Sequence, residues 1–220
     1  MTHIDFYFDP ISPYAYLAFE RLPEALQGLS YSVSYRPVLF AGMLAHHSQK
    51  GPAEIQPKRA WTFRQVQWQA YQFGIELQTP AEHPFNPLAL LRLALACAPA
   101  GSTHSDTPNR HVCEQVLRHV WHGGANANDP ERLADLTARL APTRSAADAD
   151  VKQALKNATD QALALGVFGV PSLVTGGRVF WGLDALPMLR DFITGGTWFD
   201  TTAWAAAGVA PPGVRRAGFE

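Results

Sequence analysis

Four residues near the start of the chain, Ser12-Pro13-Tyr14-Ala15, have the character of a helix N-terminus that could hold an anion. Ser is a preferred N-cap residue, and Pro suits the first helical position. Unpaired N–H groups and a partial positive charge at such an end favour a bound anion, for example a thiolate. The Ser12 hydroxyl could donate a hydrogen bond to that thiolate. Since this turn contains no cysteine, the sulfur would come from another molecule.

A second feature, Gly169-Val170-Pro171, lies near the other end of the chain, just before an apolar segment. A proline at the entry to a strand suggests a cis peptide bond, which X-Pro bonds adopt far more readily than other peptide bonds. Such a bond would leave the backbone of Val170 open to pair with an extended ligand. Together, Ser12 and Val170-Pro171 could bind a thiol-containing peptide.

The other candidate residues support different chemistry less well. His119 and His122 are three residues apart and His46 and His47 are adjacent, but no third ligand is placed by this spacing, so we predict no metal site. No G-x-S-x-G sequence surrounds Ser12, which argues against a hydrolase nucleophile. A purely structural role for Ser12 as an N-cap remains an alternative.

The flanking elements must place these two features side by side. Alternating apolar residues predict a strand over 3–8, helical spacing predicts a helix from Ser12 to Gly28, and alternation from Tyr31 to Tyr35 predicts a second strand. Near the other end, 172–174 and 179–181 flank a Gly-Gly turn and predict a hairpin, which a helix over 183–193 follows.

The middle of the chain has a helical pattern from Pro57 to about Leu165, except for a polar loop predicted at 101–109. The segment PLALLRLALACA is apolar around its whole axis and should be buried. An aromatic set on the first of these helices is expected to lie mostly in the core: Trp61, Phe63, Trp68, Tyr71 and Phe73.

The order β–α–β, helical insert, β–β–α predicts an α/β thioredoxin-like fold with a large all-helical insertion. We expect residues 1–50 and 166–194 to form the thioredoxin-like domain. Residues 51–165 would form the helical insertion, and residues 195–220 a C-terminal tail.

Composition excludes several classes of protein. Apolar residues make up 47% of 220 and charged residues 17%, as in folded globular domains, and the net charge of −1 gives no reason to expect a nucleic-acid or membrane partner. The most apolar segment contains Arg92 and is too short to span a bilayer, and the first residues lack a secretory signal. Cys97 and Cys113 form no C-x-x-C pair, so reduced thiols are expected, with a long-range disulfide as the alternative. We expect a cytoplasmic protein.

Three segments, FYFDPISPYAYLA, QKGPAEIQPKRAW and GVFGVPSLVTGGRVFWGLDAL, resemble 2-hydroxychromene-2-carboxylate isomerases and kappa-class glutathione transferases. Both groups belong to the DsbA-like branch of the thioredoxin fold, which has a helical insert. The resemblance extends from about Ile4 to Ile193, nearly the whole chain.

The resemblance implies a role for six residues of this chain. Ser12 would hold the thiolate of glutathione, Val170 would pair its backbone with the tripeptide, and Pro171 would be the cis-proline. Leu183 and Asp184 would hold the glutamyl end of glutathione. Gln49 stands where the family often has asparagine and would be a further glutathione contact.

The function implied is glutathione-dependent isomerisation of 2-hydroxychromene-2-carboxylate or a similar small aromatic compound. Two alternatives stay open: a kappa-like glutathione transferase and a non-catalytic module that binds thiol peptides. Ser12 and Ala15 occupy the two cysteine positions of the dithiol site, which disfavours a disulfide oxidoreductase. The oligomeric state also stays open, with a homodimer as one option.

Overall fold

A computed structural model of the protein describes residues 1–99, 107–209 and 213. Within these residues a four-stranded sheet has the order β2-β1-β3-β4. Its strands are β1 (Thr2–Phe8), β2 (Tyr31–Pro37), β3 (Ser172–Thr175) and β4 (Arg178–Trp181). β1 pairs in parallel with β2 and antiparallel with β3, and β3 pairs antiparallel with β4. The two ends of the chain therefore meet in one sheet, which confirms the predicted α/β thioredoxin-like class.

One face of β1 is apolar from Ile4 onward. Ile4, Phe6 and Phe8 have no exposed surface, and the ring of Phe6 packs against Phe19 of the following helix and Tyr35 of β2. Burying side chains of this size stabilises the fold by roughly 2–3 kcal/mol each. The end of β1 is thereby fixed within the core, and the turn that follows it carries Ser12.

The α-helices of the described residues cover the sheet and form the middle of the chain. In chain order they are α1 (Pro13–Ala25), α2 (Phe40–His46), α3 (Gln56–Phe73), α4 (Leu88–Ala96), α5 (Arg110–Trp121), α6 (Pro130–Leu140), α7 (Ala149–Ala164), α8 (Leu186–Ile193) and α9 (Thr202–Ala207). The first helix ends three residues before Gly28, α7 begins after the predicted start at Ser145, and a short 3-10 turn precedes α8.

Two helices had no prediction. Leu39 occupies the N-cap position of α2 and offers no capping side chain, so the helix has no local start signal. Gly42 within the helix also disfavours helix formation. α9 lies in the tail, which had no assignment. Of the polar loop predicted at 101–109, residues 101–106 lie outside the described part of the chain.

The expectation that the aromatic residues of α3 lie mostly in the core is wrong for three of them. Trp61, Trp68 and Tyr71 are 63%, 61% and 80% exposed. The core-facing side of α3 is set by Val66 and Ala70, which are four residues apart. At 100° per residue the three exposed aromatic residues lie on the opposite side of the helix.

α4 is buried as predicted, with six of its nine residues in the core. Among the described residues, no helix is both long enough and apolar enough to cross a membrane.

Candidate active site

Ser12 is the N-cap residue of α1, as the sequence predicted. Its backbone is extended, with φ −90° and ψ 116°, and its Oγ accepts a hydrogen bond from Ala15 N at 3.2 Å. The same hydroxyl donates to the carbonyl oxygen of Val170 at 3.4 Å. Residues 158 positions apart in the sequence thus meet at one point. The donated bond is at the long end of the hydrogen-bond range, so the O–H can turn to a stronger acceptor at little cost.

Val170 and Pro171 are joined by a cis peptide bond, as predicted. The carbonyl oxygen of Pro171 accepts from Gly182 N at 2.9 Å, and Ser172 Oγ donates to the Gly169 oxygen at 2.7 Å, so the segment is held on both sides. The N–H of Val170 donates to no acceptor among the described residues. An extended ligand could therefore use the Val170 backbone.

The first turn of α1 also keeps a free donor. Pro13 has no N–H, Ala15 N–H is bound to Ser12, and Tyr14 N–H has no acceptor within the described ranges. The Tyr14 hydroxyl donates to Gln65 Oε1 of α3 at 2.8 Å. Burial raises the pKa of this hydroxyl, and the negative charge of Asp184 raises it further.

Leu183 and Asp184 lie in the 3-10 turn before α8, but they differ in what they can offer a ligand. The Leu183 side chain is buried, so only its backbone is available, whereas Asp184 is exposed. Gly182 has φ 99°, a conformation that favours glycine, and a Cβ at this position would also crowd Asp184 Oδ1.

Gln49 is not brought together with the other predicted residues by any hydrogen bond of the described chain. Its side chain is exposed in the loop after α2, and its N–H donates to the Leu44 oxygen at 2.9 Å. The helix α2 separates this loop from β2.

Three side chains that the sequence analysis missed bind the turn before Ser12. Asp9 is fully buried, and its two carboxylate oxygens accept from Ile11 N and Phe40 N, both at 3.0 Å. Burial raises the pKa of Asp9 to about 7, against the lowering effect of these two bonds. Trp121 Nε1 donates to the Pro10 oxygen at 2.9 Å, and His83 Nε2 lies 2.8 Å from the Ile11 oxygen.

Two of the histidines considered for a metal site, His119 and His122, make hydrogen bonds within the fold. His119 Nε2 bonds the Ala127 oxygen at 2.9 Å, and His122 Nε2 lies 2.7 Å from the Tyr16 hydroxyl. Both line a cavity of about 640 Å³ between α5 and α6, which contains none of the predicted site residues. Within the described residues, no group of three His, Cys, Asp or Glu side chains could hold a metal ion.

Both cysteines are free thiols and lie away from Ser12 in the sequence. Cys113 is buried and Cys97 is half-buried. Burial raises the pKa of each thiol, so neither is predominantly a thiolate at neutral pH.

Family comparison agrees with this geometry. The family model for the DSBA-like thioredoxin domain matches residues 3–194, which is most of the chain. The chain belongs to the DSBA-like thioredoxin family.

Three relatives of this chain illustrate the family's range. Glutathione S-transferase kappa 2 of Caenorhabditis elegans is 26% identical over 210 residues, covering 86% of this chain and 91% of that protein. A 2-hydroxychromene-2-carboxylate isomerase of Sphingobium xenophagum is 27% identical over 200 residues, covering 86% and 97%. A solved 2-hydroxychromene-2-carboxylate isomerase has the same fold, with a TM-score of 0.74, 24% identity and coverage of 87% and 94%.

Proposed function

We propose that this protein is a glutathione-dependent isomerase of 2-hydroxychromene-2-carboxylate or a similar small aromatic compound. The observation that carries the proposal is the meeting of the Ser12 hydroxyl with the Val170 carbonyl at 3.4 Å, at the N-terminus of α1. The isomerases and the kappa transferase among its relatives support the reaction class.

The residues at this turn fit a thiol-containing tripeptide. The free N–H of Val170 and its carbonyl offer an edge for a peptide backbone, in the manner of strand addition. The exposed carboxylate of Asp184 can receive an ammonium group, and the backbone at Leu183 can receive a carboxylate. Gln49, in its exposed loop, is proposed as a further contact.

When bound, glutathione would supply the nucleophilic sulfur that adds to an unsaturated carbon, opens a double bond to rotation and then leaves unchanged. Ser12 would donate its O–H to the sulfur in place of the Val170 oxygen. The bond that Ser12 Oγ accepts from Ala15 N polarises the hydroxyl and makes it a better donor.

The required electrostatic effect is modest. Lowering a thiol pKa from about 8.5 to about 6.5 corresponds to roughly 2.7 kcal/mol. A hydrogen bond to a charged group contributes about 1.5–3 kcal/mol, and a helix N-terminus about 0.3–1 kcal/mol. One hydroxyl and the end of α1 together contribute about 1.8–4 kcal/mol, a range that includes the required amount.

The proposal is tested by turnover of 2-hydroxychromene-2-carboxylate with glutathione far below the substrate concentration. Many turnovers per glutathione, with the free thiol fully recovered, are expected of an isomerase. No turnover at any glutathione concentration, by folded protein, would contradict the proposal.

A kappa-like transferase is the second candidate, because the Caenorhabditis elegans relative has that name. It would consume one glutathione for each electrophile, and the glutathione conjugate would be the final product. Mass spectrometry of the products separates the two activities. A protein that binds glutathione and reacts with no electrophile would instead be a binding module.

A further inference from the structure

The peptide group between Ile11 and Ser12 is held at both of its polar ends. Its N–H, which belongs to Ser12, donates to the backbone carbonyl oxygen of Asp9 at 3.0 Å. Its carbonyl oxygen, which belongs to Ile11, lies 2.8 Å from His83 Nε2. Because a peptide group is planar, fixing its two ends fixes the plane from which the Ser12 side chain projects.

His83 comes from the α3–α4 connection, 72 positions from Ile11 in the sequence. Its ring is packed edge-on against Phe63, with centroids 5.1 Å apart, and is also 5.9 Å from the ring of Trp121 and 6.1 Å from that of Phe85. Aromatic contacts on several sides leave the imidazole little freedom to turn.

The contacts also define which ring nitrogen of His83 carries the proton. A carbonyl oxygen can only accept, so Nε2 must be the donor. Nδ1 is buried and has no partner among the described residues. Burial lowers the pKa of His83 and the charge of Arg59 lowers it further, so the ring is neutral at pH 7 with its single proton on Nε2.

We propose that His83 is a positioning residue that fixes the Ile11–Ser12 peptide plane and thereby aims the Ser12 hydroxyl at the bound sulfur. The inference rests on the proposed role of Ser12 but concerns a residue outside the glutathione contacts. Without His83, the Ile11 carbonyl would lose its donor in half-buried surroundings and the plane could rotate towards water. A misplacement on the order of 1 Å is enough to cost about 10²-fold in rate.

Two substitutions separate the hydrogen bond from the packing. His83→Phe keeps an aromatic ring among Phe63, Phe85 and Trp121 but removes the donor. His83→Gln places an amide N–H near the position of Nε2 and restores the donor. We expect His83→Phe to lower kcat about 10- to 100-fold with the KM for glutathione changed less than about threefold, and His83→Gln to recover most of kcat.

His119 provides a matched control. Its Nε2 also donates to a backbone carbonyl, that of Ala127 at 2.9 Å, and burial likewise lowers its pKa. His119→Phe and His119→Gln should reduce the melting temperature about as much as the corresponding His83 variants do, and should leave kcat within about twofold of the wild type. Wild-type kcat in folded His83→Phe, or an equal loss of kcat in His119→Phe, would overturn the proposal.

A crystal structure of His83→Phe gives a readout that does not depend on turnover. A rotated Ile11–Ser12 peptide and loss of the 3.4 Å approach of Ser12 Oγ to the Val170 oxygen are expected. An unchanged Ser12 turn would refute the positioning role, even if the wild type is active. Conversely, an inactive wild type would contradict the proposed function, while the crystal structure would still decide the role of His83.

Discussion

Replacing Ser12 by alanine should separate its role in the fold from its role in chemistry. The structural cost is small, because Ala15 N–H lies 3.2 Å from Ser12 Oγ but also 3.1 Å from the Ser12 backbone oxygen, which remains in the variant. Loss of an N-cap side chain costs about 1 kcal/mol, which for a chain of this size lowers the melting temperature by roughly 2–4 °C.

The chemical cost is expected to be larger. The variant loses one hydrogen bond to a charged sulfur, worth about 1.5–3 kcal/mol, which corresponds to a loss of roughly 10- to 10²-fold in glutathione-dependent rate. The N-terminus of α1 and the Val170 backbone stay in place, so some activity and most of the glutathione affinity should remain.

Asn109→Ala is the matched control, because Asn109 caps α5 by accepting from Val112 N at 3.0 Å. It should lose comparable stability and keep its rate. Steady-state kinetics at saturating glutathione and thermal unfolding of both variants provide the assay. A folded Ser12→Ala protein that binds glutathione and turns over at the wild-type rate would refute the catalytic role of Ser12.

Three further predictions concern groups around this turn. Asp9 has a pKa of about 7 in the folded protein, above the ordinary carboxyl value, so the free energy of unfolding should fall by roughly 3 kcal/mol from pH 5 to pH 8. Urea unfolding of Asp9→Asn should not show this fall in the free energy of unfolding. Parallel pH profiles of the free energy of unfolding for the two proteins would contradict the prediction. The double variant Cys97→Ala/Cys113→Ala should lose stability but keep turnover within a few-fold in the same kinetic assay, because both thiols have raised pKa values. Abolished turnover in the folded variant would mean that the active sulfur belongs to the chain. Glutathione at about 100 times its Kd should raise the wild-type melting temperature by roughly 5–10 °C, and Asp184→Ala should shrink that shift without lowering the unliganded value; an undiminished shift would exclude Asp184 from binding.

The sequence predicted what local patterns determine. Ser12-Pro13 specifies a helix start through N-cap and N1 preferences, and the structure has that start. Alternation around the Gly176-Gly177 turn likewise predicted the β3–β4 hairpin. The α3 aromatic residues were wrongly treated as one set, although Phe63 and Trp61 lie on opposite sides of a helix, so that error came from ignoring the helical period.

Long-range contacts account for the residues that the sequence analysis missed. His83 bonds to Ile11 across 72 positions, and Asp9 bonds to Phe40 across 31 positions. No local sequence pattern predicts these two contacts. α2 was missed for a similar reason. Its N-terminus has no capping side chain of its own, and the N–H of Phe40 is bound by the distant Asp9.

The central claim is that the Ser12 turn stabilises a glutathione thiolate, and the pKa of the bound thiol tests it most directly. The thiolate absorbs in the ultraviolet, so its formation can be followed against pH with glutathione bound to the wild type and to Ser12→Ala. We expect a midpoint of about 6.5 for the wild type, against about 8.5 for a free thiol, and a clearly higher midpoint for Ser12→Ala. A wild-type midpoint equal to that of free glutathione would contradict the account.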